Sequence, residues 1–196
     1  MNKYADINEL RRLFGNRKEI PARYEEEILI ALSHYPELKD ECIRFELSMA
    51  SAVPYSTKPS FASVFLPKDQ RVYTVTILER ANDPENEALI KNLDRKMRIG
   101  VFGHELGHVL QYSKRSPLSL LKTLTLYLID PYKRKIERAA DQQAIKHGLG
   151  EELLRHTEYI RLIPEYLDKR PELNRDYLKP EEIAYYMAHP EKIPAA

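Results

Sequence analysis

The sequence predicts an α+β fold: a small antiparallel sheet of about three strands packed on helices, with a helical C-terminal tail. Three observations predict it. Apolar residues alternate with polar ones between residues 42 and 78. Helical spacing and helix-capping residues dominate from residue 83 to residue 148. Prolines then punctuate the remainder every several residues.

The elements follow in order. Asp6 can cap a short helix running to Arg12, and Gly15 supplies a stop. "PARYEEEILIALSHYP" reads as a second helix, with Glu25, Glu26 and Glu27 near its positive N-terminal end. In "CIRFELS" the residues Ile43, Phe45 and Leu47 share one face, which predicts a strand over 42–48. "SFASVFL" and "RVYTVTIL", joined by "PKDQ", predict an antiparallel hairpin of strands 60–66 and 71–78. Asp83-Pro84 reads as an N-cap followed by a first-turn proline, with Glu85 and Glu87 close behind. Leu89, Leu93, Met97 and Val101 then recur every four residues, and the same face reaches His104 and His108. Thirty unbroken residues would be long here, so a break near Gly100 is expected. Residues 117–129 read as a buried connecting helix; the sharper alternatives are a pocket wall or an amphipathic surface touching membrane or a partner. A further helix runs from about Lys133 to His147 and stops at Gly148. The expected organisation is one domain over residues 1–196: N-terminal helices over 1–40, a core over 42–150, and short outer helices over 151–196.

Composition narrows the function. The 196 residues include 31 basic and 30 acidic ones, a net charge of +1, so no nucleic-acid partner is expected. The single cysteine excludes an internal disulfide framework and a cysteine-based zinc ribbon. The N-terminus carries charges throughout and lacks a signal-peptide core, and no apolar run reaches spanning length. A cytoplasmic protein with no transmembrane segment is the expectation.

The chemistry concentrates in "GHELGH", residues 103 to 108. His104 and His108, one helical turn apart, can aim imidazole nitrogens at one point. Glu105 sits about 100° around the helix, placed to accept a proton from a water at the metal and pass it to a leaving amine. Composition alone would produce this pattern in roughly two of a hundred such chains, so context must decide. Two histidines on an apolar helix face are costly without partners. Gly103 and Gly107 suit a site where another element approaches closely. The next candidate for a third ligand lies in "ERAAD", residues 137 to 141. Glu137 can bind the metal, while Asp141, one turn on, can accept a hydrogen bond from a ligand histidine. Ala139 and Ala140 suit a tight helix crossing. Gln111 and Lys114 stand where a metzincin would continue its ligand pattern, which excludes that class.

With both parts present, the chain resembles the gluzincins, the thermolysin-like clan of zinc metallopeptidases. "ADQQAIKHGL" is most similar to the CaaX prenyl endopeptidases and stress-response membrane proteases. Those carry transmembrane helices and this chain has none, so their substrates and quality-control role do not transfer. The resemblance covers about residues 60 to 150. It implies a zincin-like domain, Zn²⁺ on His104, His108 and Glu137, Glu105 as catalytic base, and Asp141 as the supporting carboxylate. It also implies a peptide or protein substrate added to the sheet at an edge strand, which either hairpin strand could be. A residue stabilising the oxyanion is expected as well; Tyr127, Tyr132, His156 and Tyr159 are the candidates. His147 reads as a helix C-terminal residue, and His34 and His189 have no role. The alternative is a non-catalytic or latent zincin-like binding protein, against which the retained Glu105 argues. In the latent form the proline-rich, tyrosine-rich tail would cover the cleft of an otherwise competent enzyme.

Overall fold

The computed structural model describes residues 6–49, 53–79 and 90–194. The fold is α+β, mostly helical, with one mixed sheet of four strands. The strands are β1 (Lys18–Glu19), β2 (Cys42–Ser48), β3 (Tyr55–Pro59) and β4 (Val72–Leu78). Their order across the sheet is β1-β2-β4-β3.

Two expectations about the sheet are corrected. It is not purely antiparallel: β1 pairs with β2 in parallel, and so does β2 with β4. Only β3 and β4 run antiparallel, with Thr57 opposite Val75. The first hairpin strand also lies earlier than residues 60–66. Ser60 to Ser63 fold into a tight turn in which the Ser63 hydroxyl donates to the Ser60 carbonyl and accepts from the Val72 N–H. A side chain that satisfies backbone groups locally competes with a strand ladder. The real strand, "YSTKP", is polar because it is the sheet edge, and Pro59 ends it where no ladder bond is needed. β2 and β4 fall where the alternation placed them. Tyr73, Val75 and Ile77 are wholly buried, and Ile43 and Phe45 nearly so.

The helices before β2 are α1 (Ile7–Phe14), capped by the Asp6 side chain, and α2 (Glu25–Ser33), which carries its three glutamates in the first turn. The helix under the sheet is α3 (Arg95–Ser113). Its N-cap is Asp94, whose carboxylate accepts from the Met97 N–H at 2.9 Å. The proposed cap at Asp83-Pro84 lies outside the described residues. Because α3 starts this late, no break is required, and it runs unbroken through Gly100. After it come α4 (Pro117–Leu126) and α5 (Asp130–Lys146). Gly148 follows α5 in the left-handed conformation, φ 76°, and closes it as the sequence predicts. Contrary to expectation α4 is not buried: only Leu120 and Thr123 turn inward.

The tail comprises α6 (Gly150–Arg161), α7 (Pro164–Lys169), α8 (Glu172–Asp176) and α9 (Pro180–Ala188). It is not merely an outer layer. Leu178 and Ile183 are wholly buried and belong to the same apolar cluster as Leu10, Tyr73 and Phe102. α6 lies directly on α3, where a Cβ on Gly100 would overlap the Glu152 backbone. Among the described residues no helix is long and apolar enough to cross a membrane.

That crossing generates a prediction. An exposed helical Gly→Ala change stabilises by up to about 1 kcal/mol. Gly100→Ala instead forces two backbones apart and should destabilise by about 1–3 kcal/mol, read as a lower urea midpoint at unchanged slope.

Candidate metal centre

The centre forms where α3 crosses α5. An α-helix is about 10 Å wide with its side chains, so two histidines and a glutamate from facing helices converge only at a close crossing. Gly107 permits it: an added Cβ would lie 2.8 Å from the carbonyl oxygen of Ala140. Gly103 makes room for Leu149 in the same way. The phenol of Tyr35 donates to the Gly103 carbonyl at 2.7 Å, fixing this stretch of α3 from the other side.

At the crossing, three acceptors meet. His104 Nε2 and His108 Nε2 are 3.1 Å apart. Glu137 Oε2 lies 3.2 Å from the first and 3.3 Å from the second. Ligands bonded at 2.0–2.1 Å around a tetrahedral ion stand about 3.3–3.4 Å from one another. The triangle therefore already has the size such an ion requires. All three side chains are buried, and among the described residues they form a group that can hold a metal ion. Glu105 is not part of that group.

Surrounding residues fix each ligand. Asp141 Oδ1 accepts from His104 Nδ1 at 2.7 Å, so the neutral ring turns its Nε2 lone pair to the centre. The other oxygen of Asp141 accepts the backbone N–H of Leu178 at 2.8 Å. Tyr127, just after α4, donates its hydroxyl to Glu137 Oε1, leaving Oε2 for the ion. Gln111 donates to the Ile136 carbonyl at 3.2 Å and ties α3 to α5 one turn further on. His108 is supported differently. Its ring stacks on Tyr112, while its buried Nδ1 has no hydrogen-bond partner among the described residues.

The electrostatics match an arrangement of acceptors that needs positive charge between them. Burial opposes a charge on His104, yet Asp141 and Glu137 outweigh it and raise its pKa well above the usual histidine value. Burial likewise opposes ionisation of Glu137, but the two histidines hold its pKa well below the carboxylate range. With no cation present, protons take that place; a metal and protons therefore compete.

Glu105 is buried beside the triangle. Its Oε2 accepts from the Thr57 hydroxyl at 2.6 Å, which fastens the edge strand β3 to this carboxylate. The oxyanion candidates separate. Tyr127 supports a ligand. Tyr132 is 46% exposed and points outward. The imidazole of His156, edge-on to Tyr55, has its pKa lowered to about 3, chiefly by burial, so it stays neutral. Tyr159 sits half-buried on α6. The residue that reaches the centre instead is Tyr177, between α8 and α9. Its ring packs on His104 with centroids 5.5 Å apart. Burial first, then Glu137, Tyr127 and Glu105, raise its hydroxyl pKa well above 10. Neither Thr57 nor Tyr177 carries a spacing signal, since the first lies in a polar segment and the second in a loop far downstream. His147 caps α5, as read, and stacks on Tyr35. His34 donates through Nδ1 to the His147 carbonyl, 2.7 Å away.

Comparison of the chain with family models, with curated proteins and with solved structures returns no match. The reading of the centre therefore rests on its own geometry.

The supporting contacts are testable. Tyr127→Phe removes the donor that parks Glu137 Oε1 and should weaken zinc binding about 10–100-fold in a competition titration, with circular dichroism unchanged. Lowering the pH should release zinc from wild type and variant alike.

Proposed function

We propose that the chain is a zinc-dependent metallopeptidase of gluzincin type, with a zincin-like arrangement of helices and sheet. One observation carries the reading: three buried acceptors form a triangle sized for a tetrahedral ion, and a carboxylate outside it is held against the sheet edge. A purely structural zinc site would be closed by a fourth protein ligand, whereas three ligands leave a position open. Zinc fits the nitrogen and oxygen donors.

When bound, the ion supplies Lewis acidity that polarises a peptide carbonyl and makes water nucleophilic near neutral pH. The residues of this chain do the rest. His104, His108 and Glu137 hold the ion, with Asp141 and Tyr127 setting two of the three. Glu105 takes the proton from the attacking water and delivers it to the leaving amine. Thr57 fixes one oxygen of Glu105, so the other is the one presented to the water. β3 lies at the edge of the sheet and can pair with an extended peptide, which Thr57 then places beside the base. Tyr177, whose ring packs on His104, would donate its hydroxyl to the developing oxyanion. The substrate is thus a peptide or protein segment able to adopt an extended strand.

Digestion of a diverse synthetic peptide mixture, read by mass spectrometry, tests this. Wild type should cleave internal peptide bonds, and a zinc chelator should stop it. Glu105→Gln should lose about 10²–10⁴ in rate while retaining its zinc. Full activity in that variant would contradict the mechanism, and a zinc-loaded wild type that cleaves nothing would favour a binding role.

A further inference from the structure

Two groups of exposed apolar side chains have no role in the centre. Phe61, Phe65 and Leu66 follow β3 and are 75%, 62% and 42% exposed. Leu118 on α4, and Leu128 and Ile129 just after it, are 77%, 85% and 49% exposed. Arg71 joins the two groups. Its guanidinium donates to the Arg115 carbonyl at 2.8 Å and to the Leu66 carbonyl at 3.2 Å. The turn after β3 and the start of α4 are therefore neighbours.

On α4 itself Leu118, Lys122 and Thr125 recur at i, i+4 and i+7 and are exposed, while Leu120 and Thr123 on the opposite side are buried. The outward row is thus a helix face that no other element covers among the described residues. The charge around it is one-sided. Residues 114 to 135 hold six basic residues and one acidic residue, a local charge of +5 in a chain whose net charge is +1. The one acid, Asp130, is paired with Arg175 at 2.7 Å, while Lys133 and Arg134 face the buried Asp176 at 3.7 and 3.8 Å, so the positive charge of this stretch rests on Lys114, Arg115, Lys122 and Lys135.

We propose that this face docks the protein reversibly on an anionic lipid surface. Leu118, Leu128, Ile129 and the neighbouring phenylalanines would enter the boundary between headgroups and acyl chains, with the surrounding lysines and arginines against lipid phosphates. Protruding aliphatic side chains with basic residues around them fit a soft anionic surface better than a nucleic acid, whose phosphates offer nothing for leucine to enter. α4 has 10 residues, so it would lie in the plane of the interface and not across it. Docking also has a consequence for the centre. Tyr127, at the end of this helix, bonds to Glu137, so the docked face lies one side chain away from the centre. Substrates would then be extended protein segments presented at a membrane surface. Only that last step rests on the peptidase reading.

Vesicle flotation of the full chain tests the docking directly. The probes are vesicles of phosphatidylcholine alone and of phosphatidylcholine with about 30% phosphatidylserine. Wild type should bind the anionic vesicles at least about tenfold more strongly than the neutral ones, and less strongly as salt is raised. Leu118→Ser with Leu128→Ser, and separately Lys114→Glu with Lys122→Glu, should each lower binding about tenfold or more. Zinc content, circular dichroism and cleavage of soluble peptides should not change. The proposal is overturned if wild type fails to bind anionic vesicles, or if binding survives both double variants. It is also overturned if the variants alter self-association or soluble-peptide cleavage instead, since the face would then serve a second copy or the substrate. Flotation requires no turnover, so its failure leaves the peptidase reading intact.

Discussion

Everything at the centre depends on how closely α3 and α5 cross. Glycine is unfavourable inside a helix by about 1 kcal/mol relative to alanine, and α3 contains three of them. Each stands where another element presses in: Glu152 at Gly100, Leu149 at Gly103 and Ala140 at Gly107. A methyl group at Gly107 would push α5 outward, and Glu137 Oε2 would leave the 3.2–3.3 Å range in which it meets both histidines. Local helix propensity is given up so that ligands from two helices can share one point.

Burying two imidazoles and three carboxylates is unfavourable unless their hydrogen bonds are satisfied. Here each carboxylate is satisfied from a different part of the chain. Thr57 of the edge strand holds Glu105, Tyr127 beyond α4 holds Glu137, and Leu178 of the tail holds Asp141 together with His104. The network therefore records the correct packing of strand, connecting helix and tail at once. It also explains why the tail belongs to the core. Asp141 needs the Leu178 N–H, and Leu178, once there, is fully buried.

What could be read in the sequence follows from periodicity. His104, His108, Glu137 and Asp141 were legible because a helix repeats every 3.6 residues, which turns spacing into geometry. The buried strands β2 and β4 were legible because one face is apolar. The edge strand was not, because its outward residues are polar and "SFASVFL" imitates a strand while Ser63 closes a turn. Parallel pairing of β2 and β4 was invisible too, since register between distant segments leaves no local pattern. Thr57 and Tyr177 arrive at the centre through tertiary contacts alone. Leu118, Leu128 and Ile129 looked like core beside Leu120, whereas only Leu120 is buried and the other three are exposed; hydrophobicity by itself does not say which.

The most direct test of the central claim is the metal content of the purified protein, measured by elemental mass spectrometry beside Glu137→Ala. About one zinc per chain in the wild type, lost or sharply reduced in the variant, is the expected result. Wild-type protein that takes up no metal even when zinc is supplied would contradict it, and His104, His108 and Glu137 would then be a buried polar cluster whose only role is to hold α3 against α5.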